Sequence, residues 1–386
     1  MVSISGAIPE ASFAAAGVST SETSRLGVTE LEVPVSGGLP YGIAIAPNGL
    51  VWFTLLNSGD IGSYDPTAKT FHITKAPYAG VSADLLTVSP NGTVWFTDSQ
   101  GSRVIGFDPA TETFASFTIS NSRTYPDAII VSADGTVWFD EILGNDVGEL
   151  NPVSGEITKF TIPTPNSSPS SLAIGTDGSI WFTEAAGGKI GRLNRSTGNI
   201  SEYSPSGSSL SYPIGIALGA GGAVWFAEHF GNTIDEFNTS DESFKTYPVP
   251  TEFGSPHGVA LDSSGDVWFV EHVGNKIGVL WAGNHTITEY PIPTAFSLTQ
   301  LVAVDGQGRV WFAEESGDRI GYFGEVTAHG AAPGYTMGYL ELALLLVVIV
   351  IASFVLVEGR IAEWRMSHHS HQVSFKLISE MVPLDM

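Results

Sequence analysis

The chain of 386 residues carries a formal net charge of −24 and contains no cysteine. The negative charge excludes nucleic acid as a partner, because DNA and RNA bind basic surfaces, and the lack of cysteine excludes disulfides, thiolate catalysis and cysteine metal sites. Charged residues are only 15% of the chain, against about 25% in typical soluble domains, while glycine and aromatic residues are plentiful. This composition is typical of an all-β protein with many tight turns.

The N-terminal residues 1–27 are rich in serine, alanine and glycine and show no hydrophobic period. A secretory signal needs a basic start followed by an apolar run of about 7–15 residues. The best candidate run, AIPEASFAAAGV, is interrupted by Pro9 and Glu10. We therefore interpret residues 1–27 as a flexible leader that lacks an ordinary signal peptide.

A Trp-Phe pair recurs between residues 28 and 324, usually after a turn and before an acid, as in NGTVWFTD and DGSIWFTE. The spacing is 43 residues at every step except one, from Trp181 to Trp225, where it is 44. A fixed period of about 40–50 residues is typical of a solenoid or a propeller. The seven repeated tryptophans are Trp52, Trp95, Trp138, Trp181, Trp225, Trp268 and Trp311.

Each repeat contains four short strand patterns, which in the sixth repeat read HGVALD, VWFVEH, GNKIGVL and ITEYPIP. Turn pairs such as Asn91-Gly92 stand between the first two patterns and suit a tight hairpin. The seventh repeat ends after IGYF without a fourth pattern, yet VTELEVP at 28–34 matches ITEYPIP at 287–293. The sequence therefore predicts an all-β fold, a seven-bladed β-propeller of four-stranded blades over residues 28–324, closed by the N-terminal strand at 28–34.

After a short linker at 325–335, residues 336–357 form an apolar segment that includes LALLLVVIVIASFVLV. About 20 such residues span a bilayer as a helix, so the segment predicts one transmembrane helix. Arg360 and Arg365 follow it, and no lysine or arginine lies in the 15 residues before it. The positive-inside rule then predicts a single-pass cell-membrane protein with a cytoplasmic tail at 358–386 and an extracytoplasmic propeller.

Six N-glycosylation sequons are compatible with this exported, glycosylated location. They begin at Asn91, Asn166, Asn194, Asn199, Asn238 and Asn284.

Two positions in each repeat are expected on the same propeller face, one eleven residues before the tryptophan and the other three residues after it. The later position holds an acid in six of the seven repeats, which predicts an acidic ring around the central channel. Such a ring could bind a divalent cation, or each acid could accept hydrogen bonds from a neighbouring loop. Residues that differ between repeats are better candidates for ligand binding: Tyr41, Asp84, Asp127, His257, Gln300, His229 and His272.

The repeat PHGVALDSSGDVWFVEHVGNKIG, together with fourth patterns such as ITEYPIPT, resembles the virginiamycin B lyase (streptogramin lyase) family over all seven repeats. The resemblance implies a propeller whose active members open a cyclic depsipeptide at its ester by magnesium-assisted elimination, with a histidine removing the proton α to the carbonyl. By position, it implies catalytic roles for Tyr41 and His257 and a metal-binding role for Glu314. Glu271 is a second candidate metal ligand, because it occupies the same repeat position as Glu314.

Two positions depart from the family pattern. Gln300 stands where the resemblance expects the histidine base, and Leu298 stands where it expects a metal-binding glutamate. Glutamine cannot accept a proton at accessible pH, and loss of a carboxylate weakens magnesium binding.

The first hypothesis is therefore a membrane-anchored ligand-binding or scaffold module with a degenerate lyase site, for which no cofactor is certain. The second is a lyase or ester-opening enzyme that uses magnesium or another divalent cation, in which His257, His272 or His229 replaces the base. The third is a subunit of a cell-surface or respiratory membrane complex.

Overall fold

The computed structural model describes residues 23–25, 27–119, 123–204 and 211–324, which belong to one compact unit spanning Met1–Gly330. The predicted linker, transmembrane helix and tail at 325–386 lie outside the described residues, as does most of the predicted leader. Within the described ranges, no helical segment has the length and hydrophobicity needed to span a bilayer.

Seven antiparallel sheets form the described part of the chain, and we number them as blades 1 to 7 in the order of their tryptophans. Blade 1 contains β3 Pro40–Ile45, β4 Val51–Leu55, β5 Asp60–Asp65 and β6 Thr70–Thr74. Blade 2 contains β7 Ala83–Val88, β8 Val94–Asp98, β9 Arg103–Asp108 and β10 Thr113–Thr118. Blade 3 contains β11 Pro126–Val131, β12 Val137–Glu141, β13 Asp146–Leu150 and β14 Ile157–Thr161.

The remaining blades repeat this order of strands. Blade 4 contains β15 Pro169–Ile174, β16 Ile180–Glu184, β17 Lys189–Leu193 and β18 Ile200–Tyr203. Blade 5 contains β19 Pro213–Leu218, β20 Ala223–Glu228, β21 Thr233–Asn238 and β22 Ser243–Pro248. Blade 6 contains β23 Pro256–Leu261, β24 Val267–Glu271, β25 Lys276–Leu280 and β26 Ile287–Pro291.

Blade 7 is completed by the N-terminal segment, as the sequence predicts. It contains β27 Thr299–Val304, β28 Val310–Glu314, β29 Arg319–Phe323, β2 Val28–Glu32 and β1 Thr23–Arg25. Val28 pairs with Phe323 and Glu32 with Arg319, in antiparallel register. The predicted closure is confirmed, and the additional strand β1 lies within the segment that we interpreted as a leader.

The first strands of the blades contact one another in a closed ring, from β3 through β27 and back to β3. The second strand of each blade is buried along its length, except at Ala223 in blade 5, because its two faces pack against different blades. Trp52, for example, packs against Phe96 and Phe107 of blade 2. The hydrophobic core therefore lies between the blades, and the Trp-Phe repeat holds the ring together. Two short 3-10 turns complete the described structure, at Ala220–Gly222 and Glu315–Gly317.

A glycine of the third strand faces the phenylalanine of the Trp-Phe pair in five blades. In blade 4, Gly191 pairs with Phe182, and a Cβ added at Gly191 would lie 2.1 Å from the Phe182 ring. Blade 2 is different, because its glycine is displaced by one position. Gly106 pairs with Trp95 rather than with Phe96, and the indole ring of Trp95 lies against its backbone.

Candidate functional site

The start of each first strand and the end of each second strand meet at one face, which we call the upper face. Pro126 pairs with Glu141, for example, and Pro256 pairs with Glu271. The predicted placement of both residue positions on one face is therefore confirmed. The turn pairs between these strands lie on the opposite, lower face.

The predicted acidic ring around the channel is wrong, because the repeated acids are buried. Their side chains lie beneath the loops of the upper face, where loop glycines pack against several of them. Between 0% and 3% of each residue is exposed, for Asp98, Glu141, Glu184, Glu228, Glu271 and Glu314.

The alternative role, in which the carboxylate accepts hydrogen bonds from neighbouring loops, is seen at Asp98. Its Oδ1 accepts the backbone N–H groups of Ser82 at 3.1 Å and Gly101 at 2.9 Å, and its Oδ2 pairs with Arg103. In blade 3 the corresponding Glu141 pairs with Lys159 at 2.7 Å. These two acids tie strands and loops together within the ring.

The glutamates of blades 6 and 7 are buried beside a second layer of charged groups. Lys276 donates to Glu289 at 2.8 Å, and Glu289 accepts the backbone N–H of Thr251 at 2.8 Å. Burial and the nearby Glu289 carboxylate raise the pKa of Glu271 to about 8, while the Lys276 ammonium acts in the opposite direction. Burial and the carboxylate of Glu30 likewise raise the pKa of Glu314 to about 8.

The carboxyl groups of Glu271 and Glu314 lie in different blades, and both are fully buried. Within the described ranges, no three His, Cys, Asp or Glu side chains form a group that could hold a metal ion. Leu298, at the other position where the family resemblance expects a carboxylate, is apolar. The described residues therefore do not fit the magnesium ion that the resemblance implies.

Three predicted site histidines form a cluster on the upper face of blades 5 and 6. The ring centroids of His229 and His257 are 5.6 Å apart, those of His257 and His272 are 5.7 Å apart, and those of His229 and His272 are 6.1 Å apart. His229 and His272 each follow a buried acid at the end of a second strand, and His257 is the second residue of β23. We call these three residues the histidine cluster.

Hydrogen bonds to backbone carbonyls fix two rings of the histidine cluster. His257 Nδ1 lies 3.0 Å from the carbonyl oxygen of Gln300, and His272 Nδ1 lies 3.3 Å from that of Thr299. A carbonyl can only accept, so both Nδ1 atoms carry the proton and both Nε2 atoms keep a lone pair. Burial lowers the pKa of His257 and His272, and it lowers the pKa of His229 to about 4. The cluster is therefore neutral at pH 7.

The position of the expected base is occupied by an amide that is already engaged. Gln300 Nε2 donates to Glu315 Oε2 at 3.2 Å, and burial raises the pKa of Glu315. Tyr41 is the second residue of β3, and β3 is the neighbour of β27 in the ring. The structure thus brings Gln300, His257 and Tyr41 to adjacent blades of one face, with Glu315 beside them.

Asp84 and Asp127 lie on the other side of the upper face, in blades 2 and 3. Asp84 Oδ2 accepts the backbone N–H of Ser99 at 3.1 Å. Burial raises the pKa of Asp127 to about 7. Asp140, which lies behind it, accepts the backbone N–H groups of Asp127 at 3.2 Å and Ala128 at 2.9 Å with Oδ1.

Asp140 occupies a position that holds threonine in blades 1, 2 and 4. Those threonine hydroxyls donate to the first strand of the next blade, as Thr97 does to the Asp127 carbonyl at 2.7 Å. Asp140 Oδ2 has no hydrogen-bond partner among the described residues. Burial and the nearby Asp127 raise the pKa of Asp140 well above its usual range, so that a neutral carboxyl is favoured there.

We expect Asp140→Thr to stabilise the protein at pH 8 by about 1–2 kcal/mol. The substitution removes a buried carboxyl that ionises unfavourably and restores a hydroxyl that can bridge to blade 4. Urea unfolding at pH 8 measures the change. Thr183→Val is the matched control, because it removes the hydrogen bond from the Thr183 hydroxyl to the next blade. A variant less stable than the wild type at pH 8 would contradict this explanation.

Large apolar side chains surround the polar centre of the upper face. Phe230, Phe253, Phe296 and Leu143 lie in its loops with 70%, 48%, 50% and 45% of their surface exposed. The ring of Tyr212 lies 5.0 Å from that of Phe230. Sequence reasoning missed this rim, because the loops between blades vary in sequence and only the fold shows which of them share a face. Glu315 was also missed, although it occupies the repeat position of His229 and His272.

These features define a closed seven-bladed propeller with a polar, histidine-containing centre and an aromatic rim on one face. The chain belongs to the virginiamycin B lyase family, since the sequence model of that family matches residues 26–329.

Solved structures of lyases are similar to this chain over the propeller. Virginiamycin B lyase from Staphylococcus aureus is 31% identical with a TM-score of 0.73, and the match covers 78% of this chain and 99% of that one. A catalytically inactive variant of that enzyme with quinupristin gives the same values. A streptogramin B lyase structure is 28% identical with a TM-score of 0.72, over 76% of this chain and 96% of that one. Comparison with curated proteins gave no match.

Proposed function

We propose that this chain is a ligand-binding propeller in which the family's lyase site is degenerate. Its ligand is an apolar molecule of the size and kind of a cyclic depsipeptide, held on the upper face without ring opening. The aromatic rim of Phe230, Phe253 and Phe296 offers apolar contact, and the neutral histidine cluster offers hydrogen-bond acceptors. Such a combination of apolar walls with a few polar groups is typical of small-molecule sites.

The observation that carries this proposal is the hydrogen bond made by the side chain of Gln300. Its side chain donates to Glu315, so the amide is held by a hydrogen bond in the place where a base is expected. Neither the amide nor Leu298 can act as a general base, and Leu298 cannot bind a metal ion. Removing these two functions leaves the fold intact, because neither residue contributes to the buried Trp-Phe core.

We further propose that the propeller acts outside the cell and is held at the membrane by the apolar segment at 336–357. Its support is the uncharged run LALLLVVIVIASFVLV and the arginines that follow it. In this setting the propeller would present its ligand to a membrane partner.

Quinupristin is the probe that tests the binding function, because a lyase variant similar to this chain was solved with it. The full chain is mixed with quinupristin and Mg²⁺, binding is measured by calorimetry, and cyclic and linear products are separated by chromatography. We expect saturable binding without linear product from the wild type. We expect linear product from the double variant Leu298→Glu, Gln300→His, which restores the expected glutamate and base. Magnesium-dependent ring opening by the wild type would overturn the proposal.

The second candidate is an ester-opening enzyme in which His257 is the base. It is favoured by one contact, the 3.0 Å hydrogen bond from His257 Nδ1 to the Gln300 carbonyl. This bond leaves the Nε2 lone pair available, and the lowered pKa keeps the ring unprotonated. If the wild type opens the ester, loss of turnover in His257→Ala but not in His285→Ala, outside the cluster, would assign this role.

A further inference from the structure

Arg195 of blade 4 lies on the lower face against Trp138 of blade 3. We call the space that its side chain fills, between Trp138, Asp134, Thr136 and Glu149, the slot. The guanidinium carbon of Arg195 lies 5.5 Å from the indole centroid, which is a cation–π distance. The same group donates to Asp134 at 2.6 Å, to Thr136 at 2.8 Å and to Glu149 at 3.3 Å. The slot thus has an aromatic wall and three oxygen acceptors.

The repeat places an equivalent slot between blades 2 and 3, with each residue 43 positions earlier in the sequence. The correspondence is Trp95 for Trp138, Asn91 for Asp134, Thr93 for Thr136, Gly106 for Glu149 and Pro152 for Arg195. The tryptophan and the threonine are kept, but the arginine is replaced by a proline too short to reach the indole. Blade 2 therefore has the wall of the slot without the cation that fills it.

A cavity of about 700 Å³ opens at this place. Its lining includes all five equivalent residues: Asn91, Thr93, Trp95, Gly106 and Pro152. Val153, at the edge of the cavity, is 93% exposed. The cavity is thus open to solvent where blade 3 has its slot filled.

Acidic groups remain around the cavity of blade 2. Asp108 and Asp134 both belong to its lining, but Asp134 is already paired with Arg195. Hydrogen bonds from the backbone N–H of Ala110 and from Thr111 lower the pKa of Asp108, which is therefore ionised at neutral pH. The whole chain is strongly negative, which raises the local concentration of basic partners.

Arginine is the cation that this fold places over tryptophan elsewhere. Arg192 lies 5.6 Å from the Trp181 ring, and Arg309 lies 5.2 Å from the Trp311 ring. A planar guanidinium stacks on an indole and donates to several oxygens at once, which a lysine ammonium does less well.

From these equivalences we propose that the cavity beside Trp95 is a docking site for an arginine side chain of a partner protein. The guanidinium stacks on Trp95 and donates to Thr93, as Arg195 does to Trp138 and Thr136 in the next blade. Asp108 supplies the carboxylate that Asp134 and Glu149 provide for Arg195. This site is on the lower face and is independent of the ligand proposed for the upper face.

The test uses the full chain with ¹⁵N-labelled tryptophan and the tripeptide acetyl-Gly-Arg-Gly-amide. The Trp95 indole N–H signal is assigned with Trp95→Phe, and its shift is followed as peptide is added. We expect a saturable shift with the arginine peptide and at least fivefold weaker binding of the citrulline peptide, which has the same shape without the charge. A shift that does not saturate, or equal binding of both peptides, would overturn the proposal.

Variants of the slot residues distinguish docking from a nonspecific effect of charge. Asn91→Asp restores the acid that Asp134 provides in blade 3, and we expect it to strengthen binding several-fold. Pro152→Arg supplies the chain's own guanidinium and should abolish binding, whereas Pro152→Ala should retain it. Arg195→Ala empties the slot of blade 3, so the peptide should then also shift the Trp138 signal. Unchanged binding in Pro152→Arg, with an unchanged melting temperature, would contradict docking at this cavity.

Discussion

Replacing Gly191 with alanine is expected to destabilise the propeller by about 3 kcal/mol, near the upper end for overpacked cores. The added Cβ would lie 2.1 Å from the Phe182 ring, closer than real atoms approach. Phe182 is fully buried between two blades, so the ring cannot move without shifting its neighbours. The same crowding is present where Gly148 faces Phe139 and where Gly278 faces Phe269.

Urea unfolding of Gly191→Ala measures this cost, and Gly283→Ala is the matched control. A Cβ at Gly283 would meet no atom within 4 Å, so that substitution should change stability by less than about 1 kcal/mol. If the two variants were equally stable, the predicted clash between an added Cβ at position 191 and the Phe182 ring would be contradicted.

The second large effect is on the pH dependence of stability. Burial raises the pKa of Glu184 and Glu228 to about 7, and burial together with nearby carboxylates raises the pKa of Glu271 and Glu314 to about 8. In the unfolded chain these groups ionise near pH 4.3, roughly the value for a free glutamate. The protonated carboxyl groups therefore contribute to the free energy of unfolding at about pH 4, and this contribution is lost as pH rises to about 8.

The histidine cluster acts in the opposite direction. Burial lowers the pKa of His229 to about 4, so its contribution is present above about pH 6.5 and is lost as pH falls towards 4. Between about pH 4.5 and 6.5 the two effects partly cancel. Above about pH 6.5 only the buried acids change protonation, and they lower the stability together.

We therefore expect the melting temperature to be highest near pH 5 and to fall most steeply between about pH 6.5 and 8.5. The total loss over that range should be on the order of a few kcal/mol, since a tenfold change in proton affinity is worth about 1.4 kcal/mol. Calorimetry across this range measures the profile. Glu271→Gln should flatten it, whereas Glu156→Gln, at an exposed position, should not. A melting temperature that rises between pH 6.5 and 8 would contradict the assignment.

The fold could be predicted from the sequence because its unit repeats. The 43-residue spacing of the tryptophans and the match between VTELEVP and ITEYPIP can be seen directly in the sequence. The seven blades and the pairing of β2 with β29 confirm the fold that they predict. The strand β1 could not be predicted, because TSR carries no period of its own and the strand exists through its pairing with β2 at the edge of blade 7. The transmembrane segment remains a prediction, because it lies outside the described residues.

The site could be predicted only in part. Sequence positions correctly placed Gln300, His257 and Tyr41 on one face, because strand direction alone determines which ends meet. They could not show that Glu271 and Glu314 are buried, because this depends on how the loops between blades close over the second strands. The bulges between Pro126 and Ile129 and at the equivalent positions of other blades also shift the first strand, so that side-chain alternation cannot be counted from sequence.

The proposed function depends on Leu298 and Gln300, since these residues occupy the positions where a metal-binding glutamate and a histidine base are expected. The most direct measurement is the chromatographic assay of quinupristin with Mg²⁺ and the wild-type chain. We expect that quinupristin binds and is recovered intact, and that linear product forms only after Leu298→Glu and Gln300→His. Linear product from the wild type, dependent on Mg²⁺ and lost in His257→Ala, would contradict it and establish an enzyme in its place.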